Sequence, residues 1–166
     1  MQFQLKPISR DAIPEALEKV ERYRLLNEPW QAESICEDIL RIDEENQDAL
    51  RGLLLALTDQ FVAGVAASRA KTVVGRLRSE YDRAYYAGIV HERSGHWQLR
   101  QATHGSDYSA FECFQQAMKL YERAEQLRPP GNDDSILRWN TCARLLMRNK
   151  ALKPRPEEIF EPVIGE

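Results

Sequence analysis

The residues best suited to chemistry lie in one stretch, His91-Glu92-Arg93-Ser94-Gly95-His96, followed by His104 and Cys113. Imidazoles and a thiolate are zinc ligands. Two histidines on one helix share an ion when they stand four apart, because four steps of about 100° return nearly to the same face. His91 and His96 stand five apart. Five steps separate the rings by about 140° on an ideal helix, so a common ion would require the helix to break at Gly95. A structural or surface role is the stronger reading for both. For a thiolate nucleophile, Cys113 near His96 or His104 is the pairing that chain order makes easy. Cys113, however, shares a helix face with Ala117 and Leu120, which favours a buried, inert thiol. No P-loop, dinucleotide fingerprint or nucleophile elbow occurs, and eight glycines are too sparse for a phosphate cradle. The expectation is a protein without catalytic residues, metal or cofactor; a His/Cys metal site around residues 91–113 is a minor alternative.

The elements that must position these residues are helical throughout. Nothing alternates with period two for long, whereas helical periodicity with recognisable caps recurs. A first helix opens near Asp11 with Pro14 in its first turn and carries Leu17, Val20 and Leu25 inward. Asn27-Glu28-Pro29 reads as a stop, a turn and a restart, since proline at the first helical position costs no hydrogen bond. A second helix runs from about Trp30 to Ile42, Asp43-Glu44-Glu45-Asn46 ends it, and Ala49 to Leu57 begins another apolar stripe. Helix pairs of this kind, joined by tight turns, build helical solenoids.

Units started at Ile13, Gln47 and Tyr81 keep a period of 34 residues without a gap. In that frame the eighth position holds Val20, Leu54 and Gly88, and the twentieth holds Ala32 and Ala66. The later inward positions hold Cys36 and Ala70, then Ile39 and Val73. Small and apolar residues thus fall where helices cross closely. The segment Gln116 to Pro129 carries Ala117, Tyr121, Ala124 and Pro129 in the signature places of a tetratricopeptide repeat, and Gln31 to Asn46 follows the same pattern. Trp139-Asn140-Thr141-Cys142-Ala143 resembles the repeat's W-x2-L-G-x2-Y opening, with the last signature residues replaced. The chain therefore resembles the tetratricopeptide repeat family from about Ile13 to Met147, more weakly over Gln47 to Glu80, where Gly64 and Gly75 disfavour helix.

The resemblance implies an all-α, right-handed superhelix of antiparallel helix pairs with about three repeats and a C-terminal capping helix. Uninterrupted spacing would place the alanine of Ala117 at position 100, so about 17 residues are inserted in the third unit. The insertion is expected to lengthen the first helix past Trp97 and add a turn around Gly105, with Ser109-Ala110-Phe111-Glu112 as a capping box restarting the helix. The domain organisation is an N-terminal extension over 1–12, a helical domain over 13–150 and a tail over 151–166.

The resemblance also implies that ligands enter a concave groove lined by each unit's first helix. In this frame the groove residues are Leu17, Glu21 and Arg24, then Arg51, Leu55 and Thr58, then Tyr85, Ile89, Glu92 and Arg93, and finally Asn140 and Arg144. Arginines that fork to carboxylates beside Tyr85, Leu55 and Ile89 suit an extended peptide or a partner helix. Leu17 and Glu21 stand where some family members place the Lys and Asn of a carboxylate clamp, so binding of chaperone tails is not implied. Trp30, Trp97 and Trp139 are read as core or inter-repeat packing.

Composition limits the alternatives. With 166 residues and 43% apolar content the chain can bury a core without disulfides, and a net charge of -3 gives no global attraction to nucleic acid or anionic lipid. Residues 69–100 are locally basic, with seven basic against three acidic side chains, so a nucleic-acid-binding face there is the competing reading. Cys36, Cys113 and Cys142 are odd in number and sit in apolar helical contexts, which suits reduced core thiols. No apolar run long enough for a membrane span and no leader-like N-terminus occurs, so a cytoplasmic protein is expected. Its partner is expected to be a protein or peptide, without membrane attachment. The tail Ile159-Phe160-Glu161-Pro162-Val163-Ile164 offers a route to self-association by docking on a neighbouring groove.

Overall fold

The computed structural model describes residues 3–61 and 67–155 of the chain. Within them are a 3-10 turn, Arg10–Ala12, and seven helices: α1 (Ile13–Leu25), α2 (Pro29–Ile42), α3 (Gln47–Asp59), α4 (Ala67–Val74), α5 (Glu80–Gln101), α6 (Ser106–Leu127) and α7 (Asp134–Arg148). The architecture is all-helical, and no strand occurs among the described residues. Each helix packs on the next in sequence, and α1 packs on α3 and α3 on α5. The odd-numbered helices up to α5 therefore form one row.

Local chemistry explains the boundaries. Asn27 takes φ +60°, a left-handed value that asparagine tolerates, and Pro29 restarts the chain as α2. Asn46 caps α3 by accepting the Ala49 amide at 2.9 Å, and Ser79 caps α5 through the Asp82 amide at 3.3 Å. Asp11 does not cap α1; it lies within the 3-10 turn, and Ala12 occupies the cap position with no side-chain hydrogen bond. Helix α4 is only 8 residues long and stops just before Gly75. Ala66 and Gly64 lie outside the described residues.

The starts of α1 and α3 coincide with the expected unit starts, and α5 begins one residue early. Both helices of the third pair are extended: α5 and α6 have 22 residues each, against 13 in α1 and 14 in α2. The extra length of this pair is thus shared between its two helices. The expected restart at Ser109 is displaced, because α6 begins at Ser106 after Ala102 and Gly105, both at positive φ, have reversed the chain. Ser109 is simply a residue of its first turn.

Close approach within this long pair depends on two glycines. A Cβ at Gly88 would overlap the Tyr121 ring, and one at Gly95 would lie 2.9 Å from Phe114 Cζ. Tyr121, Phe114, Ala117 and Ala124 are fully buried, as the repeat-like pattern of α6 requires. In the first two pairs Val20, Leu54, Ala32, Cys36 and Ala70 form the corresponding core. Polar ties connect successive pairs at separations near the repeat period. Arg24 meets Asp59 at 35 residues, Arg51 meets Asp82 at 31, and Arg69 meets Glu33 at 36. Hydrophobic burial holds each pair together, and these arginines set how one pair sits on the next.

Candidate functional site

The row formed by α1, α3 and α5 carries two adjoining concave features. A cleft of about 530 Å³ opens between the C-terminal ends of α1 and α3 and the second half of α5. A shallower one of about 450 Å³ adjoins it between α1 and α3, and Glu21 and Arg24 line both. Of the sequence-predicted groove residues, Leu17 and Leu55 line the shallower cleft, and Thr58 and Arg93 line the larger one.

Asp59 organises the larger cleft. Its carboxylate accepts from Arg24 Nε at 2.8 Å on one oxygen and faces an Arg93 terminal nitrogen at 3.5 Å on the other. Two guanidiniums from different pairs therefore converge on one acid and keep donors to spare. Arg93 Nε is buried and has no hydrogen-bond partner among the described residues. Arg100, exposed on the same wall, makes no ion pair among them. Apolar surface surrounds these charges: Phe61 and Trp97 line the cleft, as does Leu25, which is 82% exposed. Leu26 and Trp30, beside it in the α1–α2 turn, are exposed as well. Trp30 thus departs from the expected core role, whereas Trp97 and Trp139 are half-buried. The cleft is thus lined mainly by polar and charged side chains, with an apolar wall from Leu25, Phe61 and Trp97.

Six predicted groove residues do not line these clefts. Ile89 is 1% exposed and belongs to the core between α5, α6 and α7, so it cannot meet a ligand. Glu92 is likewise buried. Its carboxylate accepts the Tyr121 hydroxyl at 2.5 Å and the Arg138 guanidinium at 3.1 Å, while Arg138 Nε donates to the Tyr85 hydroxyl at 3.2 Å. Tyr85 is thereby drawn into an α5–α6–α7 latch, stacked on Tyr81 with ring centroids 5.7 Å apart. Burial, the Glu92 charge and their hydrogen bond hold the Tyr121 phenol well above its ordinary pKa. Arg51 is engaged by Asp82 at 2.8 Å and Asp48 at 2.5 Å. Burial opposes its charge, yet these bonds prevail and raise its pKa. Asn140 is half-buried and Arg144 exposed on α7, and neither lines the two clefts.

The histidines do not gather. His96 meets the Phe114 ring edge-on at 5.1 Å, and burial lowers its pKa; His91 is half-buried and shifted the same way; His104 is exposed in the turn before α6. No group of three His, Cys, Asp or Glu side chains among the described residues could hold a metal ion, so the His/Cys site around 91–113 does not assemble. Burial pushes the Cys36 and Cys142 thiols up to about 12 and raises Cys113, which disfavours a thiolate in each case.

Five of the seven basic residues in the segment 69–100 are engaged by neighbouring groups. Arg69 pairs with Glu33, Arg78 with Glu45 and Arg93 with Asp59, while Arg76 and Arg83 donate to backbone carbonyls. The acids that pair with this segment, Glu33, Glu45 and Asp59, stand 33 to 36 residues earlier in the chain, which local charge counting does not see. Asp59, Phe61, Trp97 and Arg100 were missed by sequence reasoning. Asp59 had a usable signal, since it stands about one repeat period from both Arg24 and Arg93.

No helix among the described residues is long and apolar enough to cross a membrane. Compared with known proteins, the chain matches no protein-family model, no curated protein and no solved structure.

Proposed function

We propose that this chain is a tetratricopeptide-like helical scaffold that binds a protein or peptide segment along the row formed by α1, α3 and α5. The observation that carries the reading is the pair of adjoining clefts on that row. They present Leu17, Leu55, Phe61 and Trp97 beside Arg24 and Arg93, a mixture that can take apolar side chains and carboxylates of an extended ligand. Further support comes from helix starts one repeat period apart, from packing of first helices on one another, and from buried small residues at the crossing positions. Under this reading α7 closes the stack, and the protein performs no reaction of its own.

A photo-reactive residue in place of Leu55, compared with one at exposed Lys119 on α6, tests the reading. A binding partner should cross-link through the first position and not the second. Its recovery should fall with Glu21→Arg, a change on the exposed surface common to both clefts. Equal capture at both positions, unaffected by Glu21→Arg, would remove the groove as the binding surface.

A further inference from the structure

The larger cleft has an unbalanced surface that another part of this chain complements. We propose that residues 156–166 seat in the cleft of their own chain, glutamates toward Arg93 and Arg100 and apolar side chains toward Leu25, Phe61 and Trp97. The inference rests on the groove reading and adds its regulation: the tail occupies the binding surface and an external ligand must displace it.

Three observations support this occupant. The first is charge. The segment Pro156-Glu157-Glu158-Ile159-Phe160-Glu161-Pro162-Val163-Ile164-Gly165-Glu166 carries four glutamates and no basic residue. On the cleft, Asp59 is shared by Arg24 and Arg93, Glu21 is the other acid, Arg93 Nε has no partner among the described residues, and Arg100 makes no ion pair among them. A carboxylate from the tail would supply an acceptor for exposed Arg100 and for the 38% of the Arg93 side chain that remains accessible.

The second is apolar surface. Leu25 is 82% exposed at the cleft, and Leu26 and Trp30 continue the patch at 60% and 59%. Exposed apolar side chains beside convergent charges suit an interaction surface. Ile159, Phe160, Val163 and Ile164 provide matching bulk, and Pro156 and Pro162 restrict the backbone toward extended forms, which lowers the entropy lost on docking.

The third is reach. Leu152 is 5% exposed and belongs to the same apolar cluster as Phe114. The Phe114 ring meets His96, and His96 lines the cleft. Leu152, three residues before the described backbone ends at Arg155, is thus anchored in an apolar cluster to which α5 contributes Ile89 and Leu99. Eleven extended residues span up to roughly 36 Å, more than the roughly 30 Å diameter of a small domain, so reaching the cleft does not require a second copy.

The test uses the full chain with p-benzoylphenylalanine in place of Phe160, irradiated as a mixture of isotopically light and heavy protein. Cross-links to the peptides containing Leu25 or Trp97, within light or within heavy chains, are expected. Arg100→Glu, an exposed change that leaves the Arg24–Asp59–Arg93 contacts intact, should lower their yield about two- to fivefold, the scale of an exposed ion pair. Adding Glu157→Lys and Glu158→Lys should restore it. Cross-links confined to other surfaces, links only between light and heavy chains, or a yield indifferent to Arg100→Glu would each overturn the proposal. Those outcomes leave the groove reading standing, because Leu55 capture of an added partner decides it separately.

Discussion

Tyr121 donates its phenolic hydrogen to the buried carboxylate of Glu92 at 2.5 Å, and Arg138 closes the pair from α7. One acid thereby joins three helices. Tyr121→Phe removes one charge-assisted bond and should cost about 1.5–3 kcal/mol. Arg138→Leu leaves Glu92 buried without its cation and should cost about 2–4 kcal/mol, below the range for fully buried pairs because the Arg138 side chain remains 29% exposed. Urea unfolding of the two variants measures both. Equal, near-zero effects would show that α7 is held by apolar contacts alone.

The glycines of α5 should behave oppositely to Gly75. Gly88→Ala and Gly95→Ala each force a methyl against an aromatic ring and should destabilise by about 1–3 kcal/mol. Gly75 faces only ordinary van der Waals contact, without positive φ, so Gly75→Ala should be neutral or stabilising by up to about 1 kcal/mol. Thermal melts of the three variants distinguish a close helix crossing from a generic intolerance of change.

Asp59 should matter to stability and binding together. Asp59→Asn leaves Arg24 and Arg93 facing each other without a carboxylate, an expected loss of about 1 kcal/mol that shrinks in high salt. The measurement is the melting temperature at low and high ionic strength. A salt-independent loss would mean that Asp59 acts through packing.

Two histidines should make the fold acid-sensitive. Burial lowers the pKa of His91 and His96 from 6.5, so the folded state binds protons less readily than the unfolded chain. Their contribution is fully present above pH 6.5 and is lost as pH falls through the lowered folded values. Denaturation midpoints should therefore decline on acidification below pH 6.5. The decline should be smaller in the His91→Gln, His96→Gln variant; an unchanged profile would place the acid sensitivity elsewhere.

Thiol reactivity should follow burial. Cys36 and Cys142 are buried with pKa pushed up to about 12, whereas Cys113 is half-buried. Iodoacetamide at pH 8 should label Cys113 first in the native protein, and the other two only after unfolding. Mass spectrometry of timed samples would expose any departure from that order.

Much of the fold was legible because it is written in short-range terms. The 34-residue spacing located the starts of α1, α3 and α5 to within one residue, Asn27 and Pro29 marked the first turn, and small residues marked the crossings. Ser109 misled, because a capping box is a local pattern, while the α5–α6 turn depends on where Ala102 and Gly105 can take positive φ. The site was less legible. Leu17, Glu21, Arg24, Leu55, Thr58 and Arg93 line the clefts, whereas Ile89 packs with residues of α6 and α7 and Glu92 bonds Tyr121 and Arg138.

Sequence alone determined that the chain is helical, where its pairs begin and which small residues sit between them, since periodicity and capping act over a few residues. Only the tertiary structure decided which arginines remain available. Arg51, Arg69 and Arg138 find acids on other helices about a repeat or more away, whereas Arg93 shares Asp59 and keeps a buried Nε without a described partner. A guanidinium's role depends on the carboxylate that packing brings to it, and packing joins residues that the chain keeps far apart.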